Sequence, residues 1–202
     1  MSHRLFTEDT ILIATHNKGK LRELKKYFEP MGITLLSADD VNLPEPEETE
    51  DSYIGNALLK ARAAAVETGH VCLADDSGLS VDALNGAPGI YSARWAVQED
   101  GSRDFYKAMD RLEKEMRSHE NRSAKFVCAI ALVWPDGHEE SVEGYVHGHI
   151  EFPPRGDQGF GYDPVFVPND EIRTFGEMHY EEKEPISHRS DAIDKIIKQC
   201  FQ

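Results

Sequence analysis

Hydrophobic positions along the chain follow two rhythms. Ile11-Leu12-Ile13-Ala14-Thr15 and Val71-Cys72-Leu73-Ala74 are short apolar blocks, as expected of buried strands, and Ile33 to Leu36 is a third. Between the first and third blocks, Leu21, Leu24 and Phe28 recur at helical spacing until Pro30 and Gly32 stop them. Before the second, Ile54, Leu58, Ala61 and Ala65 share a helical face, with Ser52 as cap and Gly69 as terminator. Strand–helix–strand alternation predicts an α/β class with some parallel pairing.

The second half of the chain changes character. Ser102 to Met116 predicts a helix. Lys125 to Trp134 and Glu139 to Ile150 predict two longer strands around a hairpin turn at Pro135-Asp136-Gly137. Asp75 to Ala96 and Pro153 to Pro168 are rich in turn-forming residues and read as ordered loops. Ser187 can cap a last helix carrying Ile193, Ile196 and Ile197. No linker interrupts this series, so residues 1–202 read as a single domain.

Composition narrows the function classes. Hydrophobic residues make up 40% and charged residues 29% of 202, an ordinary globular balance. Lys and Arg number 22 against 37 Asp and Glu, a net charge of −15. That field repels nucleic acid and anionic membrane. An anion can bind only at a local cation cluster, a set of backbone N–H groups, or a divalent cation. Cys72, Cys128 and Cys200 show no metal or disulfide spacing and read as buried thiols. No apolar run has membrane-spanning length, and Met1 to Asp9 lacks a signal core, so a cytoplasmic protein is expected.

Four segments carry possible chemistry. Thr15-His16-Asn17-Lys18-Gly19-Lys20 lies where a strand gives way to a helix, a natural anion site, although the spacing is not that of a Walker A loop. Asp75-Asp76-Ser77-Gly78 follows a buried strand, and the two acids point to opposite faces. A carboxylate cluster lies upstream at Glu45, Glu47 and Glu48, and such oxygens suit magnesium. Gly159-Phe160-Gly161-Tyr162-Asp163-Pro164 sets an aromatic between glycines, and Lys183 with Ser187-His188-Arg189 gathers cations before a helix. His147 and His149 share a strand face and read as surface residues.

Together these segments resemble the inosine triphosphate pyrophosphatase family, also called Ham1-like or non-standard purine NTP pyrophosphatases. The likeness rests on residues 14–20, on Asn56-Ala57-Leu58-Leu59-Lys60-Ala61, on Ala74 to Leu79, on Gly86 to Arg94, on Gly159 to Pro164, and on Glu182-Lys183 with Ile186 to Arg189. It covers roughly residues 11–198 and leaves the stretch through Asp9 outside.

The resemblance implies an elongated α/β fold with a central mixed sheet flanked by helices, two lobes with a cleft between them, and a homodimer. It implies magnesium-dependent hydrolysis of ITP, dITP or XTP to the monophosphate and pyrophosphate. It assigns Asp76 as the catalytic acidic residue and Glu48 with Asp76 as metal ligands, with Glu45 and Glu47 near enough to leave the register open. It assigns Thr15, His16, Asn17, Lys18, Gly19 and Lys20 to the triphosphate and Ser77 to a substrate contact. Lys60, one helical turn from Asn56, can reach the same phosphate tail. Phe160, Gly161, Tyr162, Asp163, Lys183, His188 and Arg189 go to the nucleoside. His16 stands where many members have glycine. A nucleotide sensor without turnover and a pyrophosphatase of modified pyrimidine or methylated nucleotides are the competing readings.

Overall fold

The computed structural model describes residues 3–202, the side chain of Lys18 excepted. Six strands form one mixed sheet: β1 (Thr10–Ile13), β2 (Thr34–Ser37), β3 (Val71–Val81), β4 (Ser123–Val133), β5 (Glu139–Ile150) and β6 (Phe166–Pro168). Their order is β2-β1-β3-β4-β5-β6. β1 pairs in parallel with β2, Thr10 opposite Thr34, and with β3, Ile11 opposite Val71. β5 and β6 are antiparallel, Ile150 opposite Phe166. The helices are α1 (Lys18–Phe28), α2 (Tyr53–Thr68), α3 (Phe105–Met116), α4 (Tyr180–Lys183) and α5 (His188–Cys200).

Local chemistry accounts for most boundaries. Asn17 caps α1, Ser52 caps α2 and Asp104 caps α3, each accepting backbone N–H groups of the first turn. The Ser187 hydroxyl accepts from Ser190 N–H at the start of α5. Gly69 ends α2 in the left-handed region at φ 68°. At the hairpin, Gly137 N–H donates to the Trp134 carbonyl.

Two segments differ from the sequence expectation. The turn-rich composition from Asp75 predicts a loop, yet β3 runs on to Val81 with nearly every residue buried. Asp, Ser and Gly favour turns in isolation, but a ladder position with burial on both faces outweighs that preference. The Gly/Pro-rich stretch after Pro153 likewise contains β6, which three residues of apolar sequence were too short to announce.

The chain divides into two compact units, each built from separate stretches. Unit 1 comprises residues 1–76, 129–143 and 192–202; unit 2 comprises residues 77–128 and 144–191. The core of unit 1 is rich in small side chains: Ala57, Ala61, Ala64 and Ala65 of α2 meet Leu12, Cys72, Ala74, Ala129 and Ala131. Small residues let α2 lie close to the strands. Asn56 and Lys60, on the same face, are carried inside with them. The core of unit 2 is larger-grained, with Met109, Leu112, Met116, Phe126, Phe166 and Phe175. The Phe126 and Phe166 ring centroids are 4.6 Å apart.

Candidate active site

The chemistry of unit 1 gathers around the end of its part of β3. Asp75 and Asp76 are both buried, and each faces a lysine. Lys20 Nζ lies 2.6 Å from Asp75 Oδ2. Lys60 Nζ lies 2.6 Å from Glu48 Oε1 and 4.0 Å from Asp76 Oδ1. Asn56 Nδ2 donates to Asp76 Oδ2 at 3.2 Å, while its Oδ1 accepts from Glu50 N–H at 3.1 Å. Of the three acidic candidates upstream, Glu48 turns inward to Lys60, whereas Glu45 and Glu47 are exposed.

This arrangement sets the charge states. Burial pushes the Asp76 carboxyl up to about 6; Lys60 opposes the rise, and Glu48 adds to it. Burial pulls the Lys60 ammonium down, but Asp75, Asp76 and Glu48 more than offset it, so its pKa lies above the ordinary lysine value. At neutral pH, Asp76 is thus a carboxylate with unusual appetite for a proton or a cation.

The turn before α1 is already satisfied within itself. Asn17 Oδ1 accepts from Gly19 N–H at 2.9 Å and Lys20 N–H at 3.3 Å, and Asn17 N–H donates to Thr15 Oγ1 at 3.1 Å. The expectation of free amide donors here therefore needs amending, because the asparagine that starts the helix occupies two of them. His16 does not adopt a positive φ; its Nδ1 lies 2.8 Å from Asp39 Oδ1. The Lys18 side chain lies outside the described part of the structure.

Unit 2 holds the remaining candidates. Asp163 Oδ2 accepts from Phe160 N–H at 2.8 Å and from Lys183 Nζ at 2.5 Å. Burial raises the Asp163 pKa, with Lys183 the main opposing influence. The turn exists because Gly159 sits at φ 75°, where a Cβ would come 2.0 Å from Asp163 Oδ2. Phe160 is left 56% exposed, an apolar ring open to a ligand. Lys183 Nζ lies 5.0 Å and Arg189 Cζ 5.8 Å from that ring. His188 is buried and stacks on Phe126 at 5.0 Å.

The side chains of Tyr162 and Asp163 are engaged inside the loop. The Tyr162 hydroxyl donates to the Ser92 carbonyl at 2.9 Å, and its ring meets Phe105 edge-on at 5.6 Å. Ser92 Oγ in turn accepts from Leu79 N–H at 2.9 Å. Gly161 turns at φ 66°, and Ser77 is half-buried directly after Asp76 on β3. The motif from Gly86 to Arg94 therefore supplies an anchor for the loop through Ser92. The sequence offers Asp75 only as one of a pair of acids and names Asn56 within a motif without a role. A buried asparagine on an alanine-rich helical face was the available signal for the second.

A profile of the Ham1 family matches residues 11–199. The chain belongs to this family. It is 53% identical over 201 residues to a dITP/XTP pyrophosphatase of Rhodospirillum centenum, covering 98% of each chain. A dITP/XTP pyrophosphatase of Ruegeria pomeroyi is 52% identical over 202 residues, again covering 98% of each. Among solved structures, a HAM1 protein from Coxiella burnetii superposes with a TM-score of 0.89 at 34% identity, covering 95% of this chain and 98% of that one. Membership of the Ham1 family accounts for the mixed sheet and for the order of the motifs. Among the described residues, no helix is long and apolar enough to cross a membrane.

Proposed function

We propose that this Ham1 chain hydrolyses purine nucleoside triphosphates with non-standard bases, among them ITP, dITP and XTP, to the monophosphate and pyrophosphate. The observation that carries the reading is Asp76, a buried carboxylate raised to about 6 beside Glu48 and Lys60. In the reaction, water adds to the α-phosphorus, the anhydride bond to the β-phosphate breaks, and pyrophosphate leaves. Asp76 takes the proton that the water gives up; its raised pKa makes it a competent acceptor near neutrality. In this reading Lys20 and Lys60 hold phosphate oxygens, and the latter supports the charge that builds on the departing group.

A magnesium ion fits the donor set. Glu48 and Asp76 offer only carboxylate oxygens and flank one positive charge, the Lys60 ammonium. Among the described residues, no group of three His, Cys, Asp or Glu forms a closed metal cage. Magnesium commonly uses one or two carboxylates and takes its other ligands from phosphate and water. Held by Glu48 and Asp76, it would neutralise phosphate charge.

Base choice is assigned to unit 2. Lys183, His188 and Arg189 present hydrogen-bond donors, and Phe160 presents a ring face for stacking. Donors satisfy the 6-oxygen of hypoxanthine or xanthine. The 6-amino group of adenine meets them donor to donor, at a cost of about 1–3 kcal/mol per buried mismatch.

The working form is read as a cytoplasmic homodimer, on the family likeness. Sedimentation giving only the 22.8 kDa species at micromolar concentration contradicts the dimer.

The deciding experiment is pyrophosphate release from dITP, XTP, ITP, GTP and ATP with magnesium. Rapid release from the first three, little from ATP, and none in excess chelator is the expected pattern. Tight nucleotide binding without release overturns the assignment.

A further inference from the structure

We infer that Asn56 is a positioning residue that sets Glu48 and Asp76 in register for a shared cation. The inference rests on reading those two acids as the cation-holding pair. Asn56 is fully buried, and its carboxamide is divided between two partners. Its Nδ2 donates to Asp76 Oδ2 at 3.2 Å, and its Oδ1 accepts from Glu50 N–H at 3.1 Å. The first contact fixes a carboxylate on β3. The second fixes the backbone of the acidic loop two residues beyond Glu48.

The geometry of α2 makes this a single device. Asn56 and Lys60 lie four residues apart, one above the other on the buried face. Lys60 reaches the side chain of Glu48 and the neighbourhood of Asp76; Asn56 reaches the loop backbone and Asp76 itself. Each residue thus touches both the acidic loop and the strand. Lys60 does so through charge, which a cation or a phosphate can redirect. Asn56 does so through an uncharged carboxamide, whose two hydrogen bonds do not depend on Lys60.

An asparagine suits this place for three reasons. It offers a donor and an acceptor on one short, stiff side chain, whereas a carboxylate offers acceptors alone. It adds no charge beside Asp76. The loop it holds begins with Pro44 and Pro46 and has no regular structure of its own, so a bond from a packed helix is what locates it. Partners of metal-binding carboxylates typically contribute ~10–100-fold to metal affinity or activity.

The test uses Asn56→Ala and Asn56→Asp in the full chain. Asn56→Asp keeps an acceptor for Glu50 N–H but loses the amide donor to Asp76. Mn²⁺ binding to nucleotide-free protein is read by electron paramagnetic resonance, beside kcat and KM for dITP and the melting temperature. The expected result is Mn²⁺ affinity down ~10–100-fold in both variants, with kcat falling alongside and KM for nucleotide within about threefold. Unchanged Mn²⁺ affinity and kcat in folded Asn56→Asp overturns the proposal, even if Asn56→Ala melts earlier. Failure of the unmodified protein to bind Mn²⁺ overturns it too. Failure to release pyrophosphate while Mn²⁺ affinity still depends on Asn56 removes the enzymatic reading and leaves the positioning role standing.

Discussion

Unit 1 and unit 2 each bury an aspartate against a lysine, and the two pairs are built for different ends. Lys183 donates straight to Asp163 at 2.5 Å, and a backbone N–H completes the carboxylate. Lys60 lies 4.0 Å from Asp76, and its short contact, 2.6 Å, goes to Glu48. Asp163 therefore has a committed counter-charge and serves to hold a turn. Asp76 shares one cation with a second acid. Burial raises both carboxyls, Asp76 to about 6, so the two differ in the allotment of counter-charge and not in the direction of the shift. Burial alone therefore does not tell the two acids apart; the allotment of their counter-charges does.

The largest effect expected from this contrast is on turnover. Asp76→Asn should lower kcat for dITP by ~10²–10⁴-fold, the usual cost of losing a general base. Its melting temperature should hold or rise, because the substitution removes a buried charge whose ionised form the fold disfavours. Activity assays beside calorimetry check both halves.

Asp163→Asn should behave in the opposite sense. Removing one partner of a buried ion pair leaves the Lys183 ammonium uncompensated, a loss of about 3–5 kcal/mol. Urea titration reads this directly. Stability near that of the unmodified protein would erase the distinction between the two acids.

A smaller effect is expected at Gly159. Alanine there combines a φ of 75° with a Cβ 2.0 Å from Asp163 Oδ2. More than about 1 kcal/mol of stability should be lost. KM should rise, since the same turn presents Phe160, while Mn²⁺ binding in unit 1 stays unchanged.

The smallest effect concerns a third buried acid, which sharpens the comparison from the other side. Glu140 is driven upward by burial, yet bonds from Arg4 N–H, His138, His3 and Gln199 bring it down to about 2. A depressed acid contributes stability above its unfolded pKa of about 4.5 and loses it as pH falls through about 2. The stability gap between the unmodified protein and Glu140→Gln should therefore be full at pH 7 and shrink between pH 4.5 and pH 2. A gap independent of pH would show that Glu140 contributes through packing alone.

Much of unit 1 was legible because its signals are local. Ser52 before the apolar face of α2, Gly69 after it, and the block at Ile11 each act within a turn or a strand. The continuation of β3 through Asp75 to Val81 was not legible, because residues distant in sequence decide it. The same holds for the site. Motif order pointed to Asp76, Glu48 and Lys183, but the engagement of Tyr162 with Ser92 and of Asn17 with its own helix depends on three-dimensional contacts. The motif around Asn56 was legible, but its role was not, because its two partners, Glu50 and Asp76, are brought to it only by the fold.

The charge on Asp76 decides whether its counter-charge is shared or committed. Carboxyl-carbon NMR titration of metal-free, nucleotide-free protein, with Asp76→Asn used to assign the resonance, measures it directly. The account predicts a midpoint near 6 for Asp76. A midpoint at the ordinary value of 3.8 would contradict it, by showing that Lys60 offsets the whole effect of burial on Asp76.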